Sequence, residues 1–576
     1  MYRTDRGHDR PRARRLARRV AARQPAVDAL QHRRGADFLA DRRRSCDPTG
    51  VSDVDLCGHG RHPNGMVGGV CVVGGNTVAA RRKMGWPRHL DQSCRVVSCG
   101  YWDQRPLGGL AQRRPQLRGF GHHRRRIGVG MAQGRPGEAK PMKQVDIAHR
   151  PPPRFRKVVI FLTVSLAIVL ALPWLLLDRF TGGWRYQPSQ MRAGLSASAR
   201  ALLQQTYTGL DADRLVDYHT HVAGLGVGNT GCEVNPRSQS WLHFKDRFKF
   251  AAYLSAAGVA DTDHADQQFV ERLLDLHRHL DLRGRHYILA FDKRYRPDGT
   301  VDDDHSEFYV PNAYVFALAQ RHPHALLPAL SVHPYRRDAL PELVKWAGQG
   351  GRLIKWLPNA QGIDPASPLC VPYYAKMREL GLILLSHTGK EQAVEAELDQ
   401  DLGNPLRLRV PLNAGVTVIA AHFASLGEDQ DLDHPQLARR PSWQLALRLL
   451  DDPRYRDLFF VDISAITLAN RVGEPLALLL RRTDLHSRLV NGSDYPLPAI
   501  NILFRLGKLV ELGFLDPADQ QPLAEVYDYN PLLFDLALKR RLKDPQTGTR
   551  FAASVFMVHP NLAYALPLAA TSTQHQ

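Results

Sequence analysis

Short apolar runs alternate with longer helical stretches from residue 214 onward. The runs are three to seven residues long, and turn or polar residues bound them, as is typical of buried parallel strands. They cover residues 215–218, 287–291, 326–332, 353–356, 382–385, 416–421, 458–463 and 489–491. Strands that alternate with helices indicate an α/β fold, and eight of them predict a closed (β/α)8 barrel over residues 213–540.

Polar residues stand at the ends of five of these predicted strands. The intervals from Lys355 to His387 and from His387 to His422 are 32 and 35 residues, about one βα unit each. The next interval, to Asp494, is 72 residues, about two units. Strands 1, 4, 5, 6 and 8 therefore end in His219 and His221, Lys355, His387, His422 and Asp494. In barrel enzymes this C-terminal face carries the active site.

These residues lie in motifs that resemble the amidohydrolase superfamily, and more closely its amidohydrolase-related branch of metal-dependent hydrolases and decarboxylases. The resemblance covers about residues 213–538. The matching motifs are DYHTH at 217–221, SVHP at 331–334, IKWLP at 354–358, LSHTG at 385–389, AAH at 420–422, NGSDYP at 491–496 and YNP at 529–531. A single His-x-His motif would be weak evidence, but five elements in order at multiples of one unit are strong evidence.

The candidate ligands suit one divalent metal ion. His219 and His221 alternate along one strand, so their side chains face the same way. His387 and Asp494 arrive from other strands and complete a set of nitrogen and oxygen ligands, which suits zinc and does not exclude manganese or iron. Such a metal lowers the pKa of a bound water. The resemblance implies that Asp494 also acts in catalysis, accepting the proton of that water.

His422 and Lys355 each have two alternative roles. His422 is expected to be catalytic, either as an acid or base or as a group that holds a substrate oxyanion. In binuclear relatives a lysine on strand 4 is carboxylated and bridges two metals, whereas a free Lys355 would contact a substrate carboxylate. The closer resemblance to the mononuclear branch favours one metal.

The expected function is that of a metal-dependent hydrolase in which an activated water attacks a C–O or C–N bond of a small molecule. A metal-dependent decarboxylase that breaks a C–C bond is the alternative, because it uses the same ligands. A binding protein built on an inactive barrel would lack a ligand, and none is missing.

A twenty-residue run without charge covers residues 158–177. At about 1.5 Å per residue, a helix of this length crosses a hydrocarbon core of about 30 Å. The basic residues on its N-terminal side predict a single-pass signal anchor, with a cytoplasmic tail at 142–157 and the catalytic domain outside. A cleaved signal peptide is the alternative. Residues 178–212 are then a linker, and 541–576 a C-terminal extension.

Charge is concentrated at the start of the chain. Of 576 residues with a net charge of +20, residues 1–141 hold 29 Lys+Arg and 11 Asp+Glu, hence +18. The remainder holds 48 and 46, hence +2. The first segment is rich in Arg and Gly, lacks apolar periodicity, and is predicted to be disordered. A mis-assigned start, with Met142 as the true first residue, is the favoured explanation. A nucleic-acid-binding arm is the alternative, but no aromatic platform or zinc spacing supports it, so no nucleic-acid partner is expected.

Overall fold

A computed structural model describes residues 153–181 and 185–565. The disordered segment predicted for residues 1–141 lies outside the described residues. So does most of the cytoplasmic tail predicted for residues 142–157. Both therefore stay predictions.

Eight parallel strands form one sheet, and each strand pairs with the next one along the chain. The strands are β1 Val216–His221, β2 Arg285–Leu289, β3 Leu326–Leu330, β4 Leu353–Trp356, β5 Ile383–Ser386, β6 Thr417–Ala420, β7 Phe459–Asp462 and β8 Leu489–Val490. Almost every residue of these strands is buried, because helices cover the outer face and side chains fill the interior. Each predicted strand overlaps an observed one, so the predicted (β/α)8 barrel is confirmed.

Hydrogen bonds between β1 and the segment after β8 close the sheet into a barrel. Tyr218 N–H donates to the carbonyl of Asn491 (2.9 Å), and His221 N–H to that of Tyr495 (2.9 Å). The pairing of β1 with β2 shifts between Asp217 and Thr220, as in a β-bulge. The strand therefore bends at the point where its first site histidine stands.

Eleven helices of eight or more residues occur in the described residues. They are α1 Pro153–Leu175, α2 Ala197–Tyr207, α3 Phe244–Ala256, α4 Ala265–Arg278, α5 Asn312–Arg321, α6 Ala339–Gly348, α7 Val371–Glu379, α8 Ser442–Asp451, α9 Glu474–Arg481, α10 Pro517–Tyr529 and α11 Pro531–Arg541. Shorter α-helices cover Leu177–Phe180, Met191–Gly194, Pro358–Gln361, Arg409–Asn413 and Leu506–Glu511. Between β1 and β2 the chain inserts α3 before α4, so this connection is longer than the others.

The segments on either side of the barrel pack against it. Residues 178–212, predicted as a linker, contain α2, which buries Leu202 and Leu203 against the body of the protein. In the described part of the predicted C-terminal extension, the segment around residues 557–558 pairs with residues 214–215 before β1, at the N-terminal end of the barrel. There Val558 and Leu562 join the cluster of side chains that fills the barrel interior. Both segments therefore contribute to the folded core.

The helix α1 covers most of the apolar run that the sequence predicts to cross a membrane. Over the described part of the chain, no helix meets both the length and the hydropathy that a membrane crossing requires. The membrane span predicted for residues 158–177 is therefore not confirmed.

Candidate active site

All six side chains that the sequence predicts for the site line one cavity at the C-terminal ends of the barrel strands. They are His219, His221, Lys355, His387, His422 and Asp494. The cavity has a volume of about 160 Å³. The barrel thus brings together residues that are up to 275 positions apart in the sequence.

Asp494 joins the two histidines of β1. Its Oδ1 lies 3.2 Å from Nε2 of His221 and 3.4 Å from Nε2 of His219. The His219 side chain is fully buried, whereas that of His221 is 21% exposed and faces the open part of the cavity. One carboxylate oxygen and two imidazole nitrogens therefore converge, as they would around a shared cation.

His387 and His422 line the same cavity beside these residues. Their ring centroids are 5.0 Å apart, and the His422 ring stacks on that of His219 at 5.0 Å. His387 Nδ1 lies 3.3 Å from a carboxylate oxygen of Glu391. Its other ring nitrogen, Nε2, is buried and has no hydrogen-bond partner among the described residues. A buried nitrogen without a partner is costly unless something else binds it.

The backbone is in the left-handed region at two of these residues. His422 and Asp494 both have φ of 59°. A non-glycine residue held in this region costs of order 1–3 kcal/mol, and such residues cluster at functional sites. Hydrogen bonds hold both turns: His422 N–H donates to Asp462 Oδ1 (2.8 Å), and Asp494 N–H to the carbonyl of His219 (2.7 Å).

The electrostatics of the cavity keep three of the imidazoles neutral near pH 7. Burial lowers the pKa of His387 to about 4, although Glu391 opposes this shift. Burial also lowers the pKa of His221 and takes that of His422 well below its ordinary value. Burial alone would raise the pKa of Asp494, but the neighbouring histidines, above all His219, hold it well below its ordinary value. Neutral imidazoles and an ionised carboxylate are the forms that bind metal ions.

Lys355 is buried and faces His219. Its Nζ lies 2.8 Å from Nε2 of His219, the nitrogen that also faces Asp494. Burial lowers the pKa of this lysine to about 8, while the carboxylates, Asp494 first, oppose the shift. The charged lysine therefore donates a hydrogen bond to Nε2 of His219, the atom whose lone pair a metal would use.

The donor set fits a divalent transition metal. His219, His422 and Asp494 each offer a ligand atom, and the three atoms lie within 4.8 Å of one another. His221 joins this group through Asp494, and His387 adds its unpartnered Nε2. Nitrogen donors with one carboxylate are typical of zinc and are also used by manganese and iron.

Three polar residues that contact the site histidines were not predicted from the sequence, and one of them, Glu391, lines the cavity itself. Asp462, the last residue of β7, lies 2.8 Å from Nδ1 of His219. Ser464 Oγ lies 2.8 Å from Nδ1 of His422, and Glu391 contacts His387. A signal was present, because Asp462 is a polar residue at the C-terminal end of a strand, like the predicted site residues.

His333, in the motif SVHP, does not line the cavity. It is fully buried, and its Nε2 lies 2.9 Å from the carbonyl oxygen of Gln361. Burial lowers its pKa to about 3. We therefore assign His333 a structural part beneath the barrel mouth.

Apolar side chains form most of the cavity wall above the polar base. Helix α3 supplies Phe250, Tyr253 and Leu254. This helix is tied to the segment after β5, because the Tyr253 hydroxyl donates to the carbonyl of Ala393 (2.8 Å). The mouth also carries Asp246, Lys249 and Glu307. The cavity thus combines a charged base, an apolar middle and a polar rim.

No protein-family model matches the chain, and neither does any curated protein. Among solved structures, it is similar to an uncharacterized TIM-barrel protein from Bordetella bronchiseptica (14% identity, 54% of this chain and 98% of that chain, TM-score 0.34). It is also similar to a putative 2-pyrone-4,6-dicarboxylic acid hydrolase from Pseudomonas putida (17% identity, 49% of this chain and 83% of that chain, TM-score 0.29). A third similar structure is a 5-carboxyvanillate decarboxylase from Sphingomonas paucimobilis (11% identity, 50% of this chain and 92% of that chain, TM-score 0.32). These identities and scores are too low to carry a functional argument.

Proposed function

We propose that this chain is a metal-dependent hydrolase that acts on a small molecule at the C-terminal mouth of its barrel. The observation that carries the proposal is the convergence of four histidines and Asp494 on one cavity, with the buried Nε2 of His387 left without a partner among the described residues. Histidines scattered over a protein surface would not gather around one cavity in this way. A metal ion would satisfy that nitrogen and the converging donors together.

His219, His221, His387 and Asp494 would hold one divalent metal, most suitably zinc. When bound, such an ion polarises a substrate oxygen and makes water a better nucleophile near neutral pH. The protein holds these donors in place before the metal arrives. His219 and His221 stand on a strand, while Asp494 is fixed by its backbone hydrogen bond to His219. Little reorganisation is then needed when the metal binds.

Asp494 and His422 would handle protons. The Asp494 carboxylate remains ionised over the ordinary pH range, so it can accept the proton that the attacking water loses. His422 Nδ1 lies 3.9 Å from Asp494 Oδ2, close enough for the two groups to serve the same reacting centre. Lys355 stands beside His219 and would contact an anionic substrate oxygen.

The cavity wall favours a substrate with an apolar body and one polar reacting group. Phe250, Leu254 and Phe308 line the cavity between the candidate metal ligands and the polar residues of the mouth. A volume of about 160 Å³ suits a compact molecule. The same donors would also serve a decarboxylase, so loss of carbon dioxide from an acid is the outcome to separate from hydrolysis.

The test begins with the full chain, first stripped of metal with a chelator and then titrated with Zn²⁺ or Mn²⁺. About one metal per chain is expected, and the His219→Ala variant should bind much less. The loaded protein is then screened on lactones, amides, esters and aromatic acids, with hydrolysis and carbon dioxide release measured in parallel. Failure of the parent chain to bind either metal would refute the proposal.

We also propose that residues 158–177 anchor the enzyme in a membrane, with the barrel on the extracytoplasmic side. The uncharged run and its basic flank support this, as do the exposed apolar side chains of α1, such as Phe161 (69% exposed) and Val169 (66%). Trp174 of α1 packs against Phe248 of α3 at 5.8 Å, so this helix adjoins a wall of the cavity. Protease added to spheroplasts should digest the barrel domain. Protection until the membrane is lysed would reverse the orientation.

A further inference from the structure

One buried carboxylate connects three strands of the barrel behind the cavity. Asp462 Oδ2 accepts a hydrogen bond from Nδ1 of His219 at 2.8 Å. Asp462 Oδ1 accepts from the backbone N–H of His422 and of Ser464, at 2.8 and 2.9 Å. The side chains of Asp462 and His219 are fully buried. The carboxylate therefore fixes groups at the ends of β1 and β6 from its own position on β7.

Ser464 extends this contact to the second imidazole. Its hydroxyl donates to Asp462 Oδ1, so its oxygen is free to accept. Nδ1 of His422 lies 2.8 Å from that oxygen, and Nδ1 of His219 lies 3.2 Å from it. Because the hydroxyl has a single proton and gives it to the carboxylate, Nδ1 of His422 must donate. Hydrogen bonds therefore lead from His422 through Ser464 to Asp462.

We propose that Asp462 and Ser464 are positioning residues, which hold the imidazoles of His219 and His422 with Nδ1 protonated so that both Nε2 atoms stay unprotonated. The proposal rests on the proposed metal-dependent function. In a neutral imidazole only one nitrogen carries the proton, so a donor at Nδ1 leaves an acceptor at Nε2. For His219, this is the nitrogen that faces Asp494 and Lys355.

This arrangement decides between two roles of His422. An imidazole with an unprotonated Nε2 accepts a proton and cannot donate one to a substrate oxyanion. His422 is therefore a base in the resting enzyme, and it can take over the proton that Asp494 accepts from the attacking water. Once protonated, it is stabilised through Ser464 by the Asp462 carboxylate, whose Oδ1 lies 4.0 Å from Nδ1 of His422. It can then return the proton to a leaving group.

The first arm of the test measures Zn²⁺ affinity on the demetallated full chain, by competition with a chelating dye. Asp462→Asn removes the charge behind His219 and should weaken Zn²⁺ binding by about 10–100-fold, as loss of such outer partners does. Asp292→Asn is the matched control, because Asp292 is equally buried but binds Arg336, away from the cavity. Its Zn²⁺ affinity should equal that of the parent. If Asp462→Asn does not fold, Asp462→Glu, which displaces the carboxylate, should show the same loss.

The second arm separates His422 from the metal. Ser464→Ala removes the link to His422 and the longer contact with His219, but it leaves the shorter bond between Asp462 and His219 in place. It should keep the parent's Zn²⁺ affinity and the absorption spectrum of the Co²⁺-substituted protein, while kcat falls and KM does not change. Ser464→Thr keeps the hydroxyl and should restore kcat. A purely structural role of Ser464 would not give this split or this rescue.

Three results would overturn the inference. Parent-like Zn²⁺ affinity in Asp462→Asn would remove the role of the carboxylate. An equal loss in Asp292→Asn would show a general effect of buried charge. A changed Co²⁺ spectrum in Ser464→Ala would make His422 a metal ligand and not a base. If the parent chain binds neither Zn²⁺ nor Co²⁺, the proposed function itself fails, and the inference fails with it.

Discussion

Gly492 lies two residues after the end of β8 and close to His219, and this proximity makes it a sensitive point of the site. A Cβ added at residue 492 would lie 2.6 Å from the Cβ of His219 and 3.2 Å from that of Ser464. Both contacts are to rigid parts of side chains close to the backbone, not to flexible ends. We predict that Gly492→Ala damages metal binding even though it adds a single methyl group.

The size of the effect follows from these distances. Carbon atoms in contact prefer about 3.5–4.0 Å, so His219 or the backbone at residue 492 must move by about 1 Å. Zinc–nitrogen distances in real sites vary by only about 0.2 Å, so a displaced His219 no longer fits. Overpacking of this kind costs about 1–3 kcal/mol of folding free energy. The expected loss of Zn²⁺ affinity is about tenfold or more, the scale seen when groups that support a ligand are disturbed.

Urea unfolding of the demetallated protein and dye competition for Zn²⁺ measure the two effects separately. Gly348→Ala is the control, because a Cβ at this last residue of α6 would meet no atom within 4 Å. It should leave Zn²⁺ affinity unchanged and can raise stability by up to about 1 kcal/mol. If Gly492→Ala matches the parent in both unfolding free energy and Zn²⁺ affinity, the packing of residue 492 against His219 does not constrain the metal site.

Three further predictions concern other parts of the chain. His387→Ala should bring bound metal well below one per chain after dialysis, as measured by mass spectrometry, whereas His279→Ala on the surface should not. Burial lowers the pKa of His333 to about 3, so this side chain is neutral in the folded protein. The unfolded chain, in which the pKa is about 6.5, binds a proton more readily. The free energy of unfolding therefore decreases as the pH falls from about 6.5 towards 3. His333→Gln should flatten the dependence of unfolding free energy on pH by about 1.4 kcal/mol per unit between these values. Deletion of residues 1–141 should leave melting temperature and turnover unchanged, and a clear loss of either would give that segment a role.

The barrel could be predicted because its signals are local. Short apolar runs mark buried strands, and each one lies within a single stretch of sequence, such as 353–356. The intervals between polar strand ends agree with the count of eight runs, including β7, which carried no predicted ligand. The packing of α2 and of Val558 against the barrel could not be predicted, because it depends on contacts between distant segments.

The site could be predicted only in part for the same reason. His219, His387 and Asp494 stand at strand ends, where the fold itself determines which way they face. Asp462 stands at a strand end too, but its role depends on a contact with His219, 243 residues away. Ser464 gives no local signal, because serine after a strand is ordinary. Hydrogen bonds behind a ligand appear only when the strands are assembled.

The chemical state of Lys355 determines whether the candidate site holds one metal or two. In the protein described here, its Nζ lies 2.8 Å from Nε2 of His219 and so competes for the lone pair that a metal needs. A hydrogen bond to a charged group contributes about 1.5–3 kcal/mol, and the lysine's positive charge adds repulsion toward a cation. A free lysine therefore weakens metal binding, whereas a carboxylated lysine would itself be a ligand and strengthen it.

The substitution Lys355→Met separates these two cases by the sign of its effect. If Lys355 is free, removing it should raise Zn²⁺ affinity, by up to about 10–150-fold when the whole hydrogen bond is recovered. If it is carboxylated and bridges two ions, the same change should abolish binding, and the parent should bind two metals in the presence of bicarbonate. Lys249→Met is the control, since Lys249 lines the mouth and donates to the carbonyl of Gln392. Its Zn²⁺ affinity should equal that of the parent. Because the competing Nζ faces a nitrogen of the candidate metal site, we expect the first result, and loss of metal in Lys355→Met would refute the single-metal site.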